Sequence, residues 1–282
     1  MNKIAIITGA STGLGASISI LLAEKGYKVY ATMRNLEKQS TLIEAAEKAG
    51  VSLEVKQLDV QDASSVERCF SYIIEREGRI DILINNAGAG FVRTTEQASE
   101  SEIQWVMDVN FMGVVRCTKA VMPHMRKQRS GHVINISSVG GLVGQPFNEI
   151  YCAAKFAVEG YTESMASYIQ PSFNINFTIV EPGGISSEFA NSALKQFQST
   201  GGMKDDEYRP ILEKYIGGAQ SRSDGVYQTS DQVAEVVIEC IQNPTPPVRI
   251  RTSTWAEEFC SLKTQADPTG KLLQERVIKT LL

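Results

Sequence analysis

Three side chains in the middle of the chain, Ser138, Tyr151 and Lys155, have types and spacing that suit proton transfer to or from a bound substrate. Tyr151 and Lys155 are four positions apart, so on a helix they share one face. A lysine ammonium beside a tyrosine favours the phenolate and lowers the tyrosine pKa, which makes the pair a usable general acid and base. The same spacing also occurs on solvated helix faces, so the rest of the chain must decide between the two interpretations.

A glycine-rich turn near the N-terminus predicts a phosphate site. The apolar run at residues 3–8 predicts a buried strand, and Gly9, Gly13 and Gly15 follow it. Glycines at a strand-to-helix turn let a phosphate approach the backbone, where the helix offers free N–H groups and a positive dipole end. The spacing is G-x-x-x-G-x-G rather than the common G-x-G-x-x-G, and a glycine turn without a ligand is the alternative.

Strand-like and helix-like patterns alternate along most of the chain. Apolar runs linked by amphipathic stretches are typical of a doubly wound, mostly parallel α/β sheet of Rossmann type with helices on both faces, here with about seven strands. The predicted strands are residues 3–8, 27–32, 51–58, 80–85, 132–137, 174–180 and 247–251. The predicted helices are residues 13–25, 35–48, 62–76, 99–127, 149–169 and 230–242. We expect Asn35 and Asp62 to be N-caps and Pro171 to separate a helix from the next strand.

We expect residues 1–282 to form a single dinucleotide-binding catalytic domain, because no linker, repeat or low-complexity tract divides the chain. Regular patterning fails at residues 183–227, which are rich in Gly, Ser, Gln and Asp. That stretch is too long for a plain connection, so it predicts a substrate lid with its own helices. The amphipathic tail at about residues 253–282 predicts a C-terminal helical cap.

Composition and charge argue against several classes of function. A net charge of −4 and a pI near 5.4 leave no basic footprint for nucleic acid. The five cysteines form no C-x-x-C pair and there are two histidines, so we expect reduced thiols and no metal site. There is no room for a signal peptide and no run of ~18 apolar residues, so we expect a cytoplasmic protein without a membrane span.

Five motifs, taken in chain order, resemble those of the short-chain dehydrogenase/reductase family. The family signatures are T-G-x-x-x-G-x-G, N-N-A-G, a catalytic asparagine, a serine with Y-x-x-x-K, and a P-G after the sixth strand. The matching residues are Thr8 to Gly15, Asn85-Asn86-Ala87-Gly88, Asn110, Ser138 with Tyr151 and Lys155, and Pro182-Gly183. On these motifs the chain is identified as a member of that family.

The resemblance implies hydride transfer between a nicotinamide cofactor and an alcohol or carbonyl carbon. Tyr151 is then the general acid and base, and Lys155, together with the oxidised nicotinamide, lowers its pKa and binds the nicotinamide ribose. Ser138 is expected to hold the substrate oxygen, and Asn110 to help bind a water that links Lys155 to solvent. The expected cofactor-binding residues are Gly9, Ser11, Thr12, Gly13, Leu14, Gly15, Arg34, Asp59, Val60, Asn86, Ala87, Gly88, Tyr151, Lys155, Pro182, Gly183 and Ile185.

The end of the second predicted strand bears on the choice between NAD and NADP. A carboxylate there would bind the ribose 2′-hydroxyl, but the sequence has Thr32-Met33-Arg34. A guanidinium can bind a 2′-phosphate through paired charge-assisted hydrogen bonds, so we predict NADP(H). The alternative is that Arg34 is a solvated residue at a helix start. From the resemblance, Asp59 is expected to accept a hydrogen bond from the adenine amine, and a turn or cap role is its alternative.

Within the family, the stretches SVGGLVGQPFNEIYCAAKFAVEG and EPGGISSEF are most similar to the 17β-hydroxysteroid and retinol dehydrogenase branch. This similarity implies a fairly apolar substrate, either a secondary alcohol and its ketone or a primary alcohol and its aldehyde. Gln145 departs from the branch, which tends to be apolar in this segment. The expected substrate contacts are Ser138, Val143, Phe147, Glu149 and Tyr151.

Two other functions stay open at this point. One is a catalytically silent NADP-binding sensor or scaffold, which the intact Asn-Ser-Tyr-Lys set argues against, and the other is a family isomerase or dehydratase. The resemblance also implies a homodimer or homotetramer that pairs through the helix after the fourth strand and the helix of Tyr151. Small residues there allow close helix approach, although they could equally pack on the chain's own sheet. They are Ala153, Ala154, Ala157 and Gly160.

Overall fold

A parallel β-sheet forms the centre of the molecule. The computed structural model describes residues 2–223 and 225–281, the stretch 219–223 by its backbone alone. Its strands are β1 (Ile4–Ile7), β2 (Lys28–Met33), β3 (Glu54–Gln57), β4 (Ile82–Asn85), β5 (Gly131–Ile136), β6 (Ile175–Glu181), β7 (Ile185–Ser186), β8 (Gln228–Thr229) and β9 (Arg249–Arg251). In this described part of the chain, seven of them form one parallel sheet in the order β3-β2-β1-β4-β5-β6-β9. The order confirms the predicted doubly wound fold, and its reversal between β1 and β4 opens a crevice at the carboxyl ends of the strands.

Helices cover both faces of this sheet. They are α1 (Gly13–Glu24), α2 (Ser40–Lys48), α3 (Ala63–Glu77), α4 (Glu100–Met107), α5 (Gly113–Gln128), α6 (Glu149–Phe173), α7 (Glu188–Ser199), α8 (Arg209–Ser223), α9 (Ser230–Gln242), α10 (Thr254–Thr264) and α11 (Lys271–Leu281). Successive strand residues point to opposite faces, so Ile4 and Ile6 join one buried cluster while Ala5 and Ile7 join the other. The first cluster packs against α3, α5 and α6, and the second against α1, α2 and α9.

Two predicted helices are interrupted in the structure. The helix predicted at residues 99–127 is divided by a π-helical turn at Asp108–Met112, which separates α4 from α5. The helix predicted at residues 35–48 opens with a separate 3₁₀ turn at Leu36–Lys38, and α2 starts only at Ser40. Asn35 is a cap, as predicted, but it caps the 3₁₀ turn by accepting a backbone N–H at 2.9 Å.

The prediction that Pro171 separates the Tyr151 helix from the next strand is wrong. α6 continues to Phe173, with Pro171 inside its last turn. The helix ends at Asn174, whose left-handed backbone, with φ of 57°, lets its N–H donate to the Gln170 carbonyl at 2.9 Å. Proline removes one N–H donor, and a last turn closed by such a cap tolerates that loss.

The segment predicted as a lid is pinned at both of its ends. β7 pairs in parallel with β8, so a short two-stranded sheet joins the two ends of the segment. α7 and α8 lie between these two strands along the chain. The tail forms α10 and α11, and α11 lies along α6, where Gln274 Nε2 donates to the Ala166 carbonyl at 2.6 Å. Among the helices of residues 2–223 and 225–281, none has the length and apolar character needed to cross a membrane.

Candidate active site

Tyr151 and Lys155 lie in the first two turns of α6, beside the carboxyl end of β5. Ala154 and Val158, one turn apart, are fully buried and press this part of the helix onto the sheet. Lys155 is buried as well, and its Nζ donates to the Ile136 carbonyl at 2.9 Å. The ammonium lies 5.7 Å from the centroid of the Tyr151 ring. The shared helical face expected from the spacing therefore exists, at the edge where the sheet opens.

The electrostatics of this pair differ from the expectation. The pKa of Tyr151 is raised to about 12, chiefly because its hydroxyl is buried, while contact with the Ser138 hydroxyl lowers it. Burial also lowers the pKa of Lys155 to about 8, against the influence of Glu159. Lys155 does not lower the pKa of Tyr151 among the protein's own groups, because the ammonium is directed to the Ile136 carbonyl and burial dominates. Any lowering has to come from the charge of a bound cofactor.

Ser138 opens the 3₁₀ turn that follows β5. Its Oγ accepts the Gly140 N–H at 3.0 Å, which fixes the side chain as the cap of that turn. The next residue, Val139, donates its N–H to the Pro182 carbonyl at 2.9 Å, so the turn is anchored to the end of β6. The hydroxyl of Ser138 contacts Tyr151.

Ser137 points away from this site. It is buried and faces Glu159 on α6 rather than Tyr151. The alternation of side chains along an extended chain turns consecutive residues to opposite sides. Ser138 is therefore the serine that the structure brings to Tyr151.

Asn110 is fully buried inside the π-helical turn between α4 and α5. Its Nδ2 donates to the carbonyls of Val106, at 3.0 Å, and Ala89, at 2.9 Å, and its Oδ1 accepts the Ala89 N–H at 3.0 Å. π-turns re-aim helical side chains and are frequent at functional sites. A Cβ on Gly88 would come 2.9 Å from Asn110 Oδ1 and 3.7 Å from Lys155 Nζ, so Gly88 keeps open the space that the two polar groups share.

The loop after β1 has the close backbone packing that a phosphate site needs. A Cβ on Gly9 would lie 2.8 Å from Ala87 Cα, and a Cβ on Gly15 would lie 2.5 Å from both the Gly9 carbonyl and Asn86 Nδ2. Asn86 Nδ2 donates to the carbonyls of Thr8, at 2.9 Å, and Gly9, at 3.0 Å. Thr8 Oγ1 accepts the N–H groups of Asn86 and Ala87, each at 3.0 Å. Through these hydrogen bonds Asn86 and Ala87 hold the glycine turn in position.

The start of α1 leaves its positive end available for an anion. Its N-cap, Thr12, makes no side-chain hydrogen bond to the helix, and no acidic residue stands in the first turn. Gly13 has a φ of 57°, in the left-handed region that favours glycine. Leu14 is buried in the core, so that only its backbone faces the loop. Free N–H groups without a carboxylate fit the pyrophosphate of a nicotinamide dinucleotide.

Arg34 and Asp59 follow the ends of neighbouring strands. The Arg34 side chain is exposed, and its carbonyl accepts a hydrogen bond from Gln57 at 3.2 Å. Asp59 Oδ1 accepts the Gln61 N–H at 3.0 Å, so one carboxylate oxygen already serves a local turn. Val60 is buried against α5. Within the described part of the chain, no hydrogen bond or ion pair engages the guanidinium of Arg34, so it is available to a ligand in the crevice.

The predicted cofactor residues after β6 lead from the sheet into α7. Gly183 packs on the Trp255 ring, since a Cβ there would lie 3.0 Å from it. Ile185 belongs to β7 and packs against the core cluster that includes α1. Pro182, already bonded to the turn of Ser138, sits where both segments meet.

Two further residues lie at the site that the sequence analysis did not assign to it. Ser187 is the N-cap of α7, and its Cβ is 3.4 Å from the position a Cβ on Gly13 would take. The Phe189 ring lies 6.2 Å from the Tyr151 ring, centroid to centroid. A serine before an acidic residue at the start of an amphipathic run was an available signal for a helix start at Ser187. Phe189 had no such signal, because its contact depends on how α7 folds over the sheet.

The predicted substrate residues occupy separate places. Phe147 is buried in an apolar cluster with Phe197 of α7 and Leu212 of α8. Phe147 and the exposed Glu149 border a cavity of about 450 Å³. Its other lining residues are residues 94–96, Pro146, Tyr208 just before α8, and Ile211 in the first turn of α8. Val143 instead packs in a cluster with α10. The structure thus groups Phe147 and Glu149 at one opening and separates Val143 from them.

A doubly wound sheet with a glycine turn at its switch point, and a serine, tyrosine and lysine beside it, defines a dinucleotide-dependent oxidoreductase. The family model for short chain dehydrogenase matches residues 3–197. Retinol dehydrogenase 8 of Bos taurus is 40% identical over 273 residues, covering 95% of this chain and 86% of that protein. Human 17-beta-hydroxysteroid dehydrogenase type 1 is 35% identical over 275 residues, covering 95% and 82%. The chain belongs to the short-chain dehydrogenase family.

Solved structures agree with this assignment. A crystal structure of actinorhodin polyketide ketoreductase with NADPH superposes with a TM-score of 0.76 at 26% identity, covering 89% of this chain and 95% of that one. The sequence relatives and the solved structure therefore agree on the fold and on the family, which is a family of oxidoreductases.

Proposed function

We propose that the chain is an NADP(H)-dependent oxidoreductase that interconverts a secondary alcohol and a ketone, or a primary alcohol and an aldehyde, on a fairly apolar substrate. The observation that supports this most is that the candidate catalytic residues and the glycine turn lie at one edge of the sheet. Ser138 contacts the hydroxyl of Tyr151, while Lys155 and Asn110 meet around Gly88. The glycine turn that fits a dinucleotide lies at the same edge.

Tyr151 is the general acid in reduction and the general base in oxidation. A phenol with a pKa raised to about 12 is fully protonated at neutral pH, so it can donate to a carbonyl oxygen that becomes an alkoxide. The Ser138 hydroxyl holds the same oxygen, which fixes the direction of proton transfer. The cofactor, when bound, exchanges the hydride at its nicotinamide and in its oxidised form adds a positive charge. Lys155 supplies a positive charge from the protein itself beside the Tyr151 ring.

Asn110 has limited capacity left for the proposed water relay. Both protons of its Nδ2 are donated to backbone carbonyls, and Oδ1 already accepts one N–H. An amide oxygen has two lone pairs, so one acceptor site remains for a water between Asn110 and Lys155. The rigid framing of Asn110 suits a group that holds such a water at a constant position.

The preference for NADP(H) is supported by the end of β2. The exposed guanidinium of Arg34 stands where a carboxylate would select the ribose 2′-hydroxyl. The first acid beyond it, Glu37, is engaged by Asn35, whose Nδ2 donates to the Glu37 carboxylate at 3.2 Å. A 2′-phosphate bound there would meet the guanidinium of Arg34.

The substrate class is supported by the names of the relatives and by the apolar surroundings of Tyr151. The relatives in the comparison are named for retinol and for a 17β-hydroxysteroid, both bulky apolar alcohols. Phe189 lies beside Tyr151, and the cluster around Phe147 joins α7 and α8. An apolar pocket with a few polar anchors suits such a substrate.

The test is to follow NADPH absorbance with a panel of steroid, retinoid, aliphatic and aryl carbonyl compounds. We expect oxidation of NADPH with at least one bulky apolar ketone or aldehyde. A silent sensor would bind NADPH without turnover of any compound, and an isomerase or dehydratase would convert a substrate without net oxidation of NADPH. Either result would contradict the proposal.

We also propose a homodimer or homotetramer that pairs through the outer faces of α5 and α6. Met112, in the π-turn just before α5, is 39% exposed, and Phe156 and Tyr168 on α6 are each 42% exposed. A Cβ on Gly160 of α6 would meet nothing within 4 Å. Light scattering should show a species of two or four times 30.9 kDa, and Phe156→Lys should shift it toward the monomer. A wild-type species of ~31 kDa alone would contradict this.

A further inference from the structure

A group of buried polar atoms behind the active site lacks hydrogen-bond partners. Glu159 lies one turn beyond Lys155 on α6 and is 6% exposed. Among the described residues, neither oxygen of its carboxyl has a partner, and the same holds for Ser137 Oγ and Glu181 Oε1. Buried polar atoms without partners are costly and rare, so four of them in one group require an explanation.

The unpaired atoms lie close together. A Cβ on Gly141 would come 2.7 Å from Ser137 Oγ and 2.8 Å from Glu159 Oε1, so these two atoms line the same small space. Glu181, at the end of β6, is fully buried and also adjoins Glu159. Its other oxygen, Oε2, accepts a hydrogen bond from Arg251 Nη1 at 3.1 Å. Two carboxyls therefore face each other, and one of them already has a guanidinium.

The cations near this pair of carboxyls have other partners, although the charge of Arg249 lowers the pKa of Glu159 to some extent. The charged and titratable groups around the two carboxyls are Lys155 and Glu163 on α6, Arg249 and Arg251 on β9, and Glu257 and Cys260 on α10. Arg249 pairs with Glu163, and Arg251 pairs with Glu181 and Glu257. Lys155 donates instead to a backbone carbonyl. Burial and the neighbouring Glu181 raise the pKa of Glu159 well above its ordinary value.

We propose, building on the proposed function, that Glu159 is a positioning residue of the active site and stands as a neutral carboxylic acid. Its O–H donates to Glu181 Oε1, and its other oxygen accepts the hydroxyl of Ser137. A single shared proton then satisfies all four unpaired atoms. Ser137, which has no role in the mechanism, precedes Ser138 directly. Its hydrogen bond to Glu159 therefore holds the turn that carries Ser138.

A neutral Glu159 also matters for Lys155. An ionised Glu159, one turn away on the same helix, would stabilise the ammonium and raise the pKa of Lys155. With Glu159 neutral, burial acts on the lysine without an opposing carboxylate, and its pKa stays low. The protonation state of Glu159 thus sets how readily Lys155 gives up its proton.

Infrared difference spectroscopy on the folded protein tests the protonation state without any turnover. At pH 7 the wild type should show the C=O band of a protonated carboxylic acid, and Glu159→Gln should abolish it. The matched control is Glu163→Gln, one turn further along α6, where the carboxyl pairs with Arg249 and the band should persist. Absence of the band in the wild type, or its persistence in Glu159→Gln, would overturn the proposal even if the proposed activity failed to appear.

Kinetics test the positioning role. Glu159→Gln keeps a neutral donor and acceptor, so kcat and its pH profile should stay within about twofold of the wild type. Glu159→Leu removes both contacts and should lower kcat on the order of tenfold with NADPH affinity unchanged. A shifted basic limb in the profile of Glu159→Gln, or a wild-type kcat in Glu159→Leu, would contradict the role. If the leucine variant does not fold, the glutamine variant and its spectrum decide the question.

Discussion

Arg34→Ala removes the guanidinium at the end of β2 while leaving the backbone contact of that residue to Gln57 intact. A hydrogen bond to a charged group is worth about 1.5–3 kcal/mol, and the exposure of Arg34 places its 2′-phosphate contact at the low end of this range. Since about 1.4 kcal/mol corresponds to a factor of ten, kcat/KM for NADPH should fall roughly 10- to 30-fold. kcat/KM for NADH should change less than about twofold, because NADH has no 2′-phosphate.

The assay is steady-state kinetics with both cofactors at one fixed concentration of an active ketone. Lys38→Ala is the matched control, because Lys38 is an exposed cation in the adjacent 3₁₀ turn. It should leave the NADPH to NADH ratio unchanged. The effect of Arg34→Ala should shrink as salt is added, since exposed charges are screened. An unchanged ratio in Arg34→Ala, or an equal loss in Lys38→Ala, would refute the assignment of Arg34 to the phosphate.

Three other predictions concern the surroundings of the site. Burial lowers the pKa of Lys155 to about 8, so the unfolded chain binds more protons than the folded protein between pH 8 and 10. The free energy of unfolding of the wild type should therefore rise with pH across that window. Lys155→Met should gain roughly 3 kcal/mol of stability at pH 7 and lose this rise, as measured by urea unfolding. Arg251→Met leaves the fully buried Glu181 without its guanidinium and should cost about 3–5 kcal/mol in the same assay, most of it recovered when Glu181→Leu is added. Gly15→Ala places a Cβ 2.5 Å from two polar atoms and should abolish NADPH binding, as measured by a fluorescence titration. In the control Gly217→Ala, in α8, the new Cβ meets nothing within 4 Å, so the folded protein should become more stable by about 0.5–1 kcal/mol in thermal unfolding.

The sheet could be predicted from the sequence because its strands are buried on both faces. Apolar runs such as residues 80–85 and 132–137 stand out between amphipathic stretches, and they became the neighbouring strands β4 and β5. The shared face of Tyr151 and Lys155 follows from helical periodicity alone. Family motifs then placed the glycine turn and Asn110 at the same edge, where the structure has them.

Local patterning could not predict features that depend on packing between distant segments. The pKa of Tyr151 rises because tertiary burial of its hydroxyl outweighs any nearby charge. The separation of Val143 from Phe147 is set by where α10 and α7 dock, and both helices lie more than thirty residues further along the chain. Pro171 remains in α6 because Asn174 supplies a left-handed cap that a proline rule does not anticipate.

The interruption of the long helix before Asn110 is a further example. A π-turn inserts one extra residue without changing the amphipathic pattern on either side, so residues 99–127 look like one continuous helix. In the structure Asn110 lies in this turn and its side chain bonds to Ala89, in the loop after β4. The feature that serves the site is thus the one that the periodicity could not predict.

The most direct test of the account is the Tyr151→Phe variant, assayed for NADPH binding and for turnover with an active ketone. The ring packs beside Phe189 and loses only its hydroxyl, so the fold and the dissociation constant of NADPH should stay within about twofold of the wild type. Turnover should fall roughly 10²- to 10⁴-fold, the usual contribution of a general acid. Turnover close to that of the wild type, with NADPH binding retained, would contradict the central claim that Tyr151 transfers the proton.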